Sequence, residues 1–223
     1  MKKHDISWCL LYLLLVVASA VLIASGGFAW FNRTLPYLAG AVQFAVYATA
    51  GDLLSTRMLE GQWKVNRATA FVAASWGFSG LWVTLAFQVF SAGAEQAMLH
   101  GFLPFCGNAI ALAFFTSALN NLIFGPLHSG FIRVCTNYAS LRFTRGGSPT
   151  VRQAVNSVDW GELIDFTLLK TIPFFWIPVN TITFLLPEEY RIASAAMLSM
   201  VFGILMTVLR LKERRDQAST AAQ

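Results

Sequence analysis

Charged side chains are scarce in this chain. Asp, Glu, Lys and Arg make up 12% of its 223 residues, about half the roughly 25% of an ordinary soluble domain. So few charges exclude an ordinary water-facing surface. Cysteine is scarce too: Cys9, Cys106 and Cys135 stand far apart and form no C-x-x-C pair. That excludes a zinc knuckle and a dithiol redox pair, leaving small apolar fillers. No second His, Cys or acid stands at ligand spacing from His128, so neither a metal nor another cofactor is expected. Arg145-Gly146-Gly147-Ser148-Pro149 is turn chemistry and lacks the spacing of a phosphate loop. No Ser stands with an ordered His and acid, no apolar run holds paired carboxylates, and no Cys–His pair can be placed. The expectation is a protein that is not an enzyme.

What the chain has instead is apolar length. Hydrophobic residues make up 56%, the mean hydropathy is +0.58, and several apolar runs reach the ~20 residues that cross a hydrocarbon core. The reading is an all-α membrane protein: a single transmembrane domain, a bundle of about six helices over 6–31, 36–58, 67–90, 102–127, 165–186 and 190–209, with a polar loop at 140–159. The first run comes after a basic start, and Ala18-Ser19-Ala20 resembles a signal-peptide cleavage site. The run continues to Phe31, which suits a retained span. Pro36 at the first turn of the second run costs no hydrogen bond. Ser91 to His100 reads as a connector.

The net charge of +5 suggests nucleic acid until the charges are placed. They sit between apolar runs and at the C-terminus rather than on one folded surface, so no nucleic-acid partner is expected. With six spans and a cytoplasmic N-terminus, the inner segments hold Lys2 and Lys3; Arg57, Lys64 and Arg67; Arg133, Arg142, Arg145, Arg152 and Lys170; and Arg210, Lys212, Arg214 and Arg215. Only Arg33 and Arg191 fall outside. This is a strong positive-inside bias, and it places both termini in the cytoplasm.

Polar groups within the apolar runs are the candidates for function, because hydrocarbon makes them costly unless paired or wet. Asp52 is the one acid deep in a run. It is either a path-lining carboxylate or the partner of Arg57 or Arg67. In the fourth run, Ser117, Asn121 and His128 fall within about 40° of one another at 100° per residue. They form either a polar stripe along a water-filled path or a set of interhelical hydrogen bonds. Asn180 lies in a fifth run bent by Pro173, Pro178 and Pro187, and Pro126 interrupts the fourth. Ala195, Ser199 and Gly203 form a small-residue seam, for packing inside the bundle or for a dimer.

Four landmarks in order resemble the Mpv-seventeen/peroxisomal-membrane-protein-twenty-two family of small integral membrane proteins. Gly51-Asp52 with Ser55 resembles its Gly-Asp near the inner end of a span. Arg67 stands where an Arg-Thr pair opens the next span, with the Thr displaced to Thr69. Asn120-Asn121 and Pro126 stand where the family has Asp-Gln and then Pro. Trp176-Ile177-Pro178-Val179-Asn180, Phe184, Pro187 and Tyr190-Arg191 resemble its C-terminal block, here with the Trp-Pro pair split by Ile177. The resemblance implies a helical bundle in a bacterial, mitochondrial inner or peroxisomal membrane, acting as a channel for small solutes, alone or as a homo-oligomer. It carries over Asp52, Arg67 and Asn121 to a polar path, with Asn180 and Arg191 at matching positions and Pro126, Pro178 and Pro187 shaping helices. A bacterial cytoplasmic membrane is the favoured location. A non-conducting accessory protein and a small secondary transporter are the alternatives.

Overall fold

The computed structural model describes residues 3–220, and the side chains of residues 5–212. Lys2 and the side chains of Lys3, Arg214 and Arg215 lie outside that set. Hydrocarbon offers backbone groups no water, so apolar runs bond internally as helices, and no strand occurs among the described residues. α1 (Lys3–Ala24) stops at Gly26, whose φ of 73° is a left-handed turn-off. The expected first span is therefore two helices, the second being α2 (Gly27–Thr34). α3 (Pro36–Glu60) carries Pro36 in its first turn, where its missing N–H is harmless. α4 (Arg67–Leu99) opens on a capping box between Asn66 and Thr69.

Two boundaries differ from the sequence reading. The stretch read as a connector continues α4 to Leu99, because Ala92, Ala94, Ala97 and Met98 are strong helix formers and a stop comes only at Gly101 (φ 75°). The fourth helix starts at Ala109 rather than 102, where the Asn108 side chain caps the N–H groups of Ile110 and Ala111 at 2.9 and 3.0 Å. From there one rod runs Ala109–Thr144. It comprises α5 (Ala109–Leu119), a wider π-helical turn Asn120–Phe124, α6 (Gly125–Ala139) and a second π turn Ser140–Thr144. α7 (Val151–Asn156) interrupts the polar loop. A second rod, Trp160–Leu185, joins α8 (Trp160–Glu162), a π-helical stretch Leu163–Trp176 and α9 (Ile177–Leu185). After the break at Leu186-Pro187, α10 (Glu188–Thr220) closes the chain.

Neighbours in sequence run antiparallel. Tyr12 and Ser19 of α1 reach Ala50 and Tyr47 of α3. Ser79 and Phe71 of α4 meet His128 and Tyr138 of the first rod. Arg133 of that rod meets Glu162 of the second, and Thr183 meets Ser194. α3 and α10 run parallel, since Asn32 just before α3 binds the Glu189 carbonyl while Ser55 binds that of Gly203. Polar contacts then mark two ends. Asp5–Arg57, Glu60–Lys64 and Arg133–Glu162–Arg210 cluster at one end, and Arg33–Glu189 and Gln88–Glu188 at the other.

Five helical stretches are long and apolar enough to cross a membrane: Asp5–Ala24, Arg67–Leu99, Ala109–Thr144, Trp160–Leu185 and Glu188–Lys212. The chain is thus a multi-pass helical membrane protein. α3 is 25 residues long but less apolar. It lies in the middle, packed along α4 and α10, where protein rather than lipid meets Gln43 and Tyr47. The core joins Phe28, Phe44, Phe87, Phe184 and Ile192. The small-residue seam of α10 faces inward, with the Gly203 carbonyl bound by Ser55 and Met200 packed on Gly51. It serves packing within the bundle.

Candidate functional site

A cavity of about 380 Å³ lies between α3, α4, both rods and α10, within the usual 300–1,000 Å³ of small-molecule sites. Each wall arises from helical spacing. Asp52, Ser55 and Leu59 share one face of α3, and Ser199, Phe202, Gly203 and Met206 share one face of α10. Arg133, Glu162 and Arg210 stand at the mouth, while Phe44, Val83 and Phe87 close the inner end.

Asp52 is on the wall, but neither expected cation reaches it. Arg57 turns to Asp5 of α1, making two hydrogen bonds of 3.0 Å. Arg67 is exposed at the first turn of α4 and is not among the cavity-lining residues. Its assignment to a polar path is therefore corrected: as the first residue of α4 it lies too far toward the end of the bundle. The Asp52 carboxylate instead accepts the indole N–H of Trp76 at 2.8 Å and is itself exposed. Gly51 makes this placement possible, because a Cβ there would lie 2.9 Å from the Met200 backbone.

Asn121 and Asn180 also line the cavity and are joined across the two rods. Asn180 Nδ2 donates to Asn121 Oδ1 at 3.2 Å, and Asn121 Nδ2 donates to the Ser117 carbonyl at 2.8 Å. The carbonyl accepts only, so it fixes the orientation of Asn121 and, through it, that of Asn180. Asn180 Oδ1 is then left with no partner, as is Asn120 Oδ1 beside it. Both residues are buried, at 5% and 4% exposure.

Ser117 departs from the expected stripe. It is fully buried against the second rod, donates to the Ile177 carbonyl at 2.8 Å, and does not line the cavity. Beyond Ser117 the π turn at Asn120–Phe124 takes more residues per turn and so rotates α6 relative to α5. That rotation brings Asn120 onto the wall beside Asn121. It also aims His128 at α4, where Nε2 lies 2.5 Å from the Ser79 hydroxyl. Pro126 sits in the first turn of α6 and Pro178 in the first turn of α9, each directly after a π stretch. The wider turns spare the missing proline N–H its usual partner. Pro187 separates α9 from α10.

At the mouth, Glu162 receives Arg133 at 3.4 Å and Arg210 at 3.1 Å, and Arg133 also donates to Thr167 at 3.2 Å. At the inner end the rings of Phe87 and Phe184 lie 4.7 Å apart. Beyond them is a second pocket of about 180 Å³, lined by Ser91, Thr116, Phe184 and Arg191 among others. Arg191 lies over the Phe184 ring at 5.8 Å and donates to the Leu186 carbonyl at 3.0 Å. Phe87 lines the first pocket and Phe184 the second, so the two are joined by this ring contact. Trp76, Phe87 and the Arg133–Glu162–Arg210 cluster carried no sequence signal, because their partners lie 24 or more residues away.

The amide chain makes a first prediction. Asn121→Leu strands the Asn180 N–H that Asn121 accepts, at about 1–3 kcal/mol for a buried group left unpaired. Thermal unfolding in detergent should fall by about 2–4 °C or more; an unchanged midpoint would show that the pair contributes nothing to the bundle. No family model, curated protein or solved structure matches this chain, so the family resemblance rests on its quoted residues.

Proposed function

We propose that this protein is a six-span small-solute channel with both termini in the cytoplasm, in a bacterial cytoplasmic membrane, and a distant relative of the family it resembles. The observation that carries the reading is the pair of pockets: an inner one walled by Asp52, Asn120, Asn121, Asn180 and His128, an outer one holding Thr116 and Arg191, with the Phe87 ring of one against the Phe184 ring of the other. A polar cavity inside an apolar bundle is costly to keep and points to a solute. The central position of α3 supports counting it as the sixth span. The placement of Arg57, Lys64, Arg133 and Arg210 at one end supports the orientation. The Phe87–Phe184 contact makes this the closed state.

The test is solute flux through purified protein in sealed liposomes, beside Asp52→Asn and Asn121→Leu. Flux above empty liposomes that falls in either variant is the expected result. Folded, inserted protein that passes neither ions nor small metabolites would replace the channel with an accessory protein.

A further inference from the structure

One acidic side chain on the cavity wall, Asp52, has no partner of opposite charge. Among the described residues the ion pairs use Asp5, Glu60, Glu162, Asp165 and Glu189, and Asp52 is in none of them. The two cations on the same wall, Arg133 and Arg210, are both held by Glu162 at the mouth. His128, the remaining titratable group, is engaged through Nε2 with Ser79. Deeper in, Asn180 and Asn121 are tied to each other and to Ser117, and the buried carbonyl oxygens of Asn120 and Asn180 are closed off from the cavity. Below its mouth the cavity thus offers one carboxylate. Trp176 and Phe202 add aromatic surface, with ring centroids 4.9 Å apart, and Trp76 adds more beside Asp52.

A carboxylate calls for a donor that carries positive charge, and the aromatic faces favour the same cation. An anion would be repelled by the Asp52 carboxylate on the wall. A neutral polyol can hydrogen-bond that carboxylate but brings it no counter-charge. We propose that the cavity binds a small molecule bearing a primary ammonium group, with Asp52 taking the charge and the faces of Trp76, Trp176 and Phe202 packing on its carbon chain. This rests on the channel reading and names the solute class of that channel.

The test uses three probes of equal length: 1,4-diaminobutane, 1,4-butanediol and butanedioate. Binding to the full chain in neutral-lipid nanodiscs is measured by calorimetry, and uptake of each is measured separately in liposomes. The diamine should bind at least about tenfold more tightly than the diol, the size of one charge-assisted contact, and the dianion should not compete. Asp52→Asn should remove that advantage and leave the diol unchanged. Arg67→Gln, outside the cavity, should alter neither. Equal binding of diamine and diol by the unaltered protein overturns the proposal, even should Asp52→Asn fail to fold; so does a diamine advantage that survives Asp52→Asn. Uptake without charge preference keeps the channel and removes the ammonium class. Selective diamine binding without uptake keeps the site and removes the channel.

Discussion

Phe184→Ala is expected to raise solute flux about tenfold or more, the effect of lowering one barrier by ~1.4 kcal/mol. Phe184 lines the outer pocket, Phe87 lines the inner one, and their rings touch at 4.7 Å. Removing the Phe184 side chain takes away the wall between them and leaves Arg191 without the ring it covers. The substitution also costs about 3–5 kcal/mol of packing, so Phe184→Leu, which keeps most of the volume, should give an intermediate rise with a smaller loss of thermal stability. Flux of the Ala variant is compared with the unaltered protein in the same liposomes, at matched helicity by circular dichroism. A folded Ala variant that conducts no better would remove the aromatic pair as the gate.

Gly80→Ala should have the largest effect on folding, at least about 3 kcal/mol. α3 and α4 cross with Gly40 facing Gly80, and a Cβ on either would run into the other's backbone carbonyl. Backbone cannot swing aside as a side chain does, so the helices must separate. Separation here pulls α4 from α3 along the face that carries Phe44, Phe87 and Trp76. The expected result is loss of monodisperse protein in detergent. Gly93→Ala, where an added Cβ meets nothing within 4 Å, should behave as the parent. A stable Gly80→Ala protein would show that the crossing has room to give.

The fold class was legible because bilayer thickness imposes a length that composition reveals directly. The proline opening α3 was local and readable too. Less legible was phase along the fourth helix. Ser117 and Asn121 stay together, side chain on side chain, but the π turn ahead of His128 turns that ring away to Ser79 of α4. Asp52 stands out in the sequence as the one acid deep in a run, and it does line the cavity, but neither cation near it in sequence is its partner. Arg57 is taken by Asp5 of α1, 52 residues away, and Trp76 reaches Asp52 from more than one turn beyond Arg67. Pairings across helices are set by tertiary register, which hydropathy does not encode.

The rod Ala109–Thr144 has a further consequence. At 1.5 Å per residue its 36 residues extend about 54 Å, well beyond a ~30 Å hydrocarbon layer. Arg133 lies about 36 Å along it, so the mouth it shares with Glu162 and Arg210 stands more than one hydrocarbon thickness from the rod's start. On the channel reading, a solute entering from this side would be drawn from the layer beside the lipid headgroups. Where that leaflet carries a potential near −30 mV, monovalent cations there are roughly three times as concentrated as in bulk and divalent ones roughly ten times. On that reading the lipid, as much as the protein, would set which molecules stand at the door.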